Sequence, residues 1–338
     1  MKKKIFQGCL IALALIAGGG TQFALAQTKI AIAHPGTISA FGSLLLAIGQ
    51  EQGLFAKYGL DARLVGGSPG SSRLVGKEAE FGVFGTAGVL KSVQQGTSLK
   101  MSGALTTGRI SNHLVTRAEI KKAEDLRGKR FGFVGSIGGA PWTIANLGLQ
   151  HLGLDPKRDN ITFLSVGGLP QVASALENGT IDAAMLTPAL SSQMQSKGFS
   201  VLLDMYPTNI YAAQTALVTT GAYVREHPDI VEKVVTALVE AMAFSLAPRN
   251  KPTVVRTVIK VFDLTDPAAA EEGYEALHNL NRRPYPTIES LKGMQKVMAL
   301  HDPKLLSVKV EDLIEDRFVR KLDERGVIDG LYKTYGVK

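Results

Sequence analysis

Apolar residues along this chain alternate between two spacings. Short, largely apolar runs at Thr28–Ala33, Asp61–Val65 and Phe81–Phe84 predict strands. Between the first two, Phe41, Leu44, Leu45 and Ile48 fall on one helical face, and a short helix around Leu74 stops at Gly76. The pattern then restarts: Lys129–Val134, Ile161–Val166 and Ile181–Leu186 predict strands, again with helices between them. Strands alternating with helices imply βα units and a mainly parallel sheet. A local echo supports a repeated construction. Leu74 to Phe81, LVGKEAEF, resembles Leu176 to Ala183, LENGTIDA. Both read as a helix end, a glycine stop and a step into a strand, and they predict two similarly built lobes.

Two further β-like runs, His113–Thr116 and Ala216–Thr220, flank the second set and are read as crossovers between the lobes. The first lobe is then discontinuous. Its later part is helical: Pro228 suits the start of a long helix through Ile230, Val234, Val235, Leu238 and Met242, broken by Pro248 and Pro252. More amphipathic helices are predicted over 268–279, 288–300 and 311–325, with Gly326 as a stop.

One stretch, Arg127 to Leu154, carries the most chemistry. Arg130–Val134 reads as a buried strand, and Gly135, Gly138 and Gly139 let the backbone turn tightly. Pro141 suits a first helical turn, and Trp142, Ala145, Leu149 and Leu152 follow on one face, ended by Gly153. Free N–H groups at such a helix start favour a carboxylate, sulfonate or phosphate. In parallel sheets the loops after the strands line the ligand crevice. Thr37, Ser39, Gly67, Ser68 and Thr86 are read into those loops.

The chain's start changes the compartment. Lys2 to Lys4, the apolar run Cys9–Ala17 and Ala24-Leu25-Ala26 have the layout of a secretory signal peptide. The run is too short to span a bilayer. Cleavage after Ala26 is expected, which gives an exported protein beginning at Gln27. The one cysteine of the 338 residues leaves with that segment, and with it any disulfide or thiol nucleophile. The formal charge of +8 is dispersed and includes three lysines of the leader. No basic stripe interleaved with aromatics appears, so nucleic acid is not an expected partner.

Several chemistries lack their motifs. Gly70 to Glu78 is one residue too long for a P-loop and has Glu78 where a Mg²⁺-binding hydroxyl belongs. No GxGxxG, GxSxG or HExxH occurs, and the six histidines are scattered. No cofactor and no metal are called.

Three segments together resemble a known family. GQEQGLFAKYGL at Gly49–Leu60, AEDLRGKRFG at Ala123–Gly132 and LENGTID at Leu176–Asp182 are similar, in order, to motifs of the solute-binding proteins of bacterial ABC importers that serve sulfonates, nitrate and thiamine-pyrimidine precursors. The resemblance implies an α/β, two-lobed type II periplasmic binding protein with two crossover strands as hinge. The segments are then residues 1–26 signal peptide, 27–112 first lobe, 113–215 second lobe and 216–338 the rest of the first lobe. It implies a protein that closes on one small organic anion or heterocycle, sulfonate, carboxylate or pyrimidine-like, and presents it to an inner-membrane permease; with no oligomerisation signature in the sequence, a monomer is expected.

By loop position, the ligand-binding candidates are Thr37, Ser39, Gly67, Ser68 and Thr86 from the first lobe. From the second they are Ser136, Gly138, Gly139, Trp142 and Thr187, with Arg109 and Tyr211 as further candidates. Whether Trp142 covers a ligand or packs inside its lobe is left open by the sequence. Two other functions stay open as well: an exported enzyme on the same scaffold, akin to a related pyrimidine synthase whose cysteine-rich motif this chain lacks, and a ligand sensor for a membrane receptor.

Overall fold

The computed structural model describes residues 27–34, 41–67, 70–106, 109–208, 210, 215–262, 270–271, 274–275, 277, 280–300 and 302–337. The first unit runs β1 (Thr28–His34), α1 (Phe41–Glu51), α2 (Leu54–Lys57), β2 (Leu60–Gly66), α3 (Gly70–Val75), β3 (Phe81–Gly85), α4 (Thr86–Gln94) and β4 (Leu99–Ala104). The second runs β5 (His113–Thr116), β6 (Arg130–Phe133), α5 (Ala140–His151), β7 (Thr162–Ser165), α6 (Leu169–Glu177), β8 (Ala183–Leu186), α7 (Pro188–Ser196) and β9 (Ser200–Asp204). The chain returns through β10 (Thr215–Thr220), α8 (Gly221–Glu226), α9 (Pro228–Leu246) and α10 (Lys251–Phe262). It finishes with α11 (Ile288–Met298), α12 (Arg317–Glu324) and α13 (Val327–Tyr335).

Two five-stranded sheets result, ordered β2-β1-β3-β10-β4 and β7-β6-β8-β5-β9. In each, one strand is antiparallel to its neighbours: β10 between β3 and β4, and β5 between β8 and β9. The remaining pairs are parallel. The two sheets therefore share one construction, mainly parallel with a single reversed strand.

Strand alternation explains why both faces of the first sheet are covered. Ile30 and Ile32 join one apolar cluster with α1, α9 and α10, while Ala31 and Ala33 face another with α4 and α11. In the second sheet, Leu114 and Phe131 face α5, whereas Val115 and Ala184 face α6.

The structure corrects several expectations. His113–Thr116 and Thr215–Thr220 are strands within the sheets rather than the crossovers. The crossing segments run beside each other instead: Leu105 N–H donates to Thr215 O (2.7 Å), Ile110 N–H to Ile210 O (3.1 Å) and Met205 N–H to Asn112 O (3.0 Å). Period-two patterns show that a run is extended, not which pairing it makes. The 311–325 helix starts at Arg317, after a 3-10 turn at Val310–Leu313. The helix expected over 268–279 falls mostly outside the described residues. Strands β4 and β9 and helices α10 and α13 have no counterpart in the sequence reading.

Candidate functional site

The candidate site is built at the C-terminal ends of the parallel strands, where backbone N–H groups of following helices are left over. In the first unit β3 runs straight into α4. Gly85 is its N-cap and offers no side-chain bond. Thr86 is thus the first helical residue, not a loop residue as expected. Gly85 and Gly88 hide the helix in the sequence, although Val89 and Leu90 are fully buried. Thr86 itself is 0% exposed, and its Oγ1 has no hydrogen-bond partner among the described residues. A buried hydroxyl left unpaired costs free energy; Thr97, Ser102, Ser290 and Tyr332 carry such hydroxyls as well, but of these only Thr86 stands at a helix start after a parallel strand.

The second unit repeats the arrangement after β6. Gly135 and Gly138 have φ of 85° and 82°, a conformation that glycine adopts freely. Gly139 caps α5 without a side-chain bond, and Pro141 lies in the first turn. Gly139 N–H is spent on Ser136 O (3.0 Å); Gly135, Ser136 and Ile137 are exposed and Gly138 is half-buried. Ser165 Oγ donates to Gly135 O and ties the loop to the end of β7.

The other candidates are distributed as follows. Gly67 follows β2 with φ 111°. Thr187 caps α7, its Oγ1 accepting from Leu190 N–H at 3.4 Å. Arg109 stands at the crossing ribbon: its Nε donates to Tyr206 O (2.9 Å) and its guanidinium lies 3.9 Å from the Tyr206 ring centroid. Trp142 is 2% exposed and packs 6.0 Å from the Phe163 ring. In this structure it occupies the packed position that the sequence left open. Thr37, Ser39, Ser68 and Tyr211 lie outside the described residues.

The first unit also holds a histidine–serine pair. At the end of β1, His34 Nδ1 is 2.9 Å from Ser43 Oγ in α1. Burial holds the His34 imidazole below its usual range, so near neutral pH it offers a hydrogen bond rather than a charge. Ser43 gave no signal, because it sits between apolar residues of an amphipathic helix. Among the described residues, no group of acidic, histidine or cysteine side chains could hold a metal ion. No described helix is long and apolar enough to cross a membrane.

Solved structures of other proteins share this fold. The periplasmic aliphatic sulphonate binding protein SsuA from Escherichia coli superposes with a TM-score of 0.67 at 17% identity, over 85% of this chain and 92% of that one. The alkanesulfonate-binding protein SsuA from Xanthomonas axonopodis pv. citri, bound to MOPS, gives 0.60 at 18% identity over 86% and 98%. The desulfurization enzyme DSZB shares the fold as well, with a TM-score of 0.57 at 16% identity over 88% and 99%. No curated protein matches by sequence. The profile described as NMT1/THI5 like matches residues 41–250, more than half of the sequence. The chain belongs to the NMT1/THI5-like family, on the two-sheet α/β fold of the periplasmic binding proteins.

Proposed function

We propose that this chain is the exported solute-binding component of an ABC importer. It captures a small organic anion, a sulfonate or carboxylate, between its two lobes and presents it to an inner-membrane permease. The observation that carries the reading is Thr86 Oγ1, buried and unpaired at the start of α4. A hydroxyl donor beside free helical N–H groups suits an anionic oxygen. The glycine loop of the second unit offers the same kind of donors at the start of α5. Closure of two lobes over one ligand shifts the open and closed populations by the ligand's differential affinity for them. The excess of basic residues favours capture of anions. The fold similarity to sulphonate-binding proteins supports the same ligand class. The expected export signal, cleaved after Ala26, agrees with a periplasmic site of action, and the protein acts as a monomer.

DSZB keeps an exported enzyme as the competing reading, since the same fold carries catalysis there. Turnover of a bound compound, followed by mass spectrometry, separates the two.

The test is thermal unfolding of residues 27–338 with MOPS, aliphatic and aromatic sulfonates, carboxylates and nitrate. A ligand at 100 times its Kd adds about 2.7 kcal/mol. In a protein this size that raises the midpoint by several degrees. Thr86→Val should abolish or strongly weaken that shift. The ligand-free variant should melt no lower than the parent, because an isosteric methyl replaces a hydroxyl whose burial costs about 1–3 kcal/mol. No shift with any compound overturns the binding reading. A full shift in Thr86→Val overturns the assignment of Thr86.

A further inference from the structure

Helix α5 is buried nearly all round. Every residue from Trp142 to Leu149 is buried except the half-buried Ile144. A helix lying on one sheet normally leaves a face in water. Ala145 and Leu149 join the second unit's core with Leu114 and Phe131. Leu147 lies on roughly the opposite side, at about 100° per residue. It joins a different cluster, with Leu291, Met294 and Val297 of α11. Helix α11 belongs to the returning part of the chain, yet it packs directly against α5. It packs against α4 of the first unit as well. One helix therefore touches both helices whose N-termini carry the candidate ligand groups.

Helix α11 is firmly held. Leu291 and Met294 are 0% exposed. Gln295 Nε2 donates to Leu305 O and Val308 O, both at 2.7 Å. Lys292 pairs with Glu311 at 2.8 Å. Close-packed interiors transmit small displacements instead of absorbing them.

We propose that α11 is an inter-lobe spacer that sets the separation of α4 and α5, with Leu147, Leu291 and Met294 as positioning residues. Its effect on binding rests on the ligand reading above, whereas the mechanical link is a property of the ligand-free chain. The crossing ribbon is then not the sole connection between the lobes. Opening becomes a small shear about the α5–α11 seam, and the two ligand-gripping helix starts stay in register.

The test is hydrogen–deuterium exchange of the ligand-free protein. Leu147→Ala, a change in the second unit, should speed exchange over residues 288–298 by tenfold or more, while β1 and β3 keep their protection. Leu147→Met, which conserves volume, should leave those rates as they are. Reciprocally, Met294→Ala should speed exchange over residues 140–151. Unchanged exchange across the seam in folded variants overturns the proposal. Should the alanine variants not fold, the parent protein decides alone. In urea below the midpoint, residues 140–151 and 288–298 should open together with one denaturant dependence, and separate openings overturn the link. Because no ligand is used, this failure is distinct from a failure to bind sulfonates.

Discussion

Asp159 shows how one side chain can hold a junction. It is 7% exposed and sits between α5 and β7. Arg158 Nη2 donates to its carboxylate at 2.7 Å, the Asp155 N–H at 2.8 Å and Arg127 Nε at 3.0 Å. The Arg158 hydrogen bond foremost, with the Asp155 N–H, pulls its pKa down to about 2. An unfolded aspartate titrates near 3.9. A carboxylate depressed in the folded state stabilises fully above the unfolded pKa, and that contribution is lost as pH falls through the folded one. Asp159→Asn should therefore lower the melting midpoint at pH 7, and the gap to the parent should close between pH 4 and pH 2. A gap independent of pH in thermal scans rules out this account. No sequence pattern marks Asp159, because its three donors come from residues whose spacing is set by a loop. Trp142 illustrates the same limit. Its helical face is legible, but the ring it packs on, Phe163, lies in β7, a strand whose place in the sheet no local pattern gives.

The elements were legible where a clean apolar period met a glycine or proline boundary. α1, α5 and α9 fall where their patterns place them. β4 and β9 were not, and both are edge strands of their sheets. LKMSGA and SVLLD carry too few β-branched residues, or too few positions, for period two to stand out. The packing of α1 on the first sheet yields a prediction at this scale. A Cβ added to Gly42 would lie 2.0 Å from Val83 Cγ1 and 3.2 Å from Thr215 Cγ2. Alanine in a helix gains about 1 kcal/mol over glycine. Overpacking a rigid neighbour costs about 1–3 kcal/mol, and Val83 is β-branched, buried and fixed in a strand. The clash should prevail, so Gly42→Ala should lower the denaturation midpoint. Adding Val83→Ala should recover part of that loss in a double-mutant cycle. Strict additivity in urea titrations contradicts the close approach.

For the whole molecule, the repeated topology gives the sequence echo its meaning. The segments after Leu74 and Leu176 lead into β3 and β8, which hold the same third position in sheets of the same order. The echo was readable because each segment needs a glycine stop and a buried strand start. The reversed strands β5 and β10 were misplaced because strand direction leaves no mark in the residues themselves. Between the two units the crossing segments form a ribbon, with Thr106 as its pin. Thr106 is 7% exposed, and its Oγ1 accepts the Thr215 N–H at 2.9 Å. Opening and closing of the proposed binding cleft bends this ribbon alongside the shear at the α5–α11 seam, because a few element-terminal residues absorb such rotations. Thr106→Val strands the half-buried Thr215 N–H, at a cost of about 1 kcal/mol. Both sheets keep their own hydrogen bonds in that variant, so exchange protection in β3 and β8 should persist. The ribbon should splay, and the radius of gyration of the ligand-free protein by small-angle scattering should rise. A loss of stability with no change in radius would assign the Thr106 bond to folding alone and move the hinge to other residues of the ribbon.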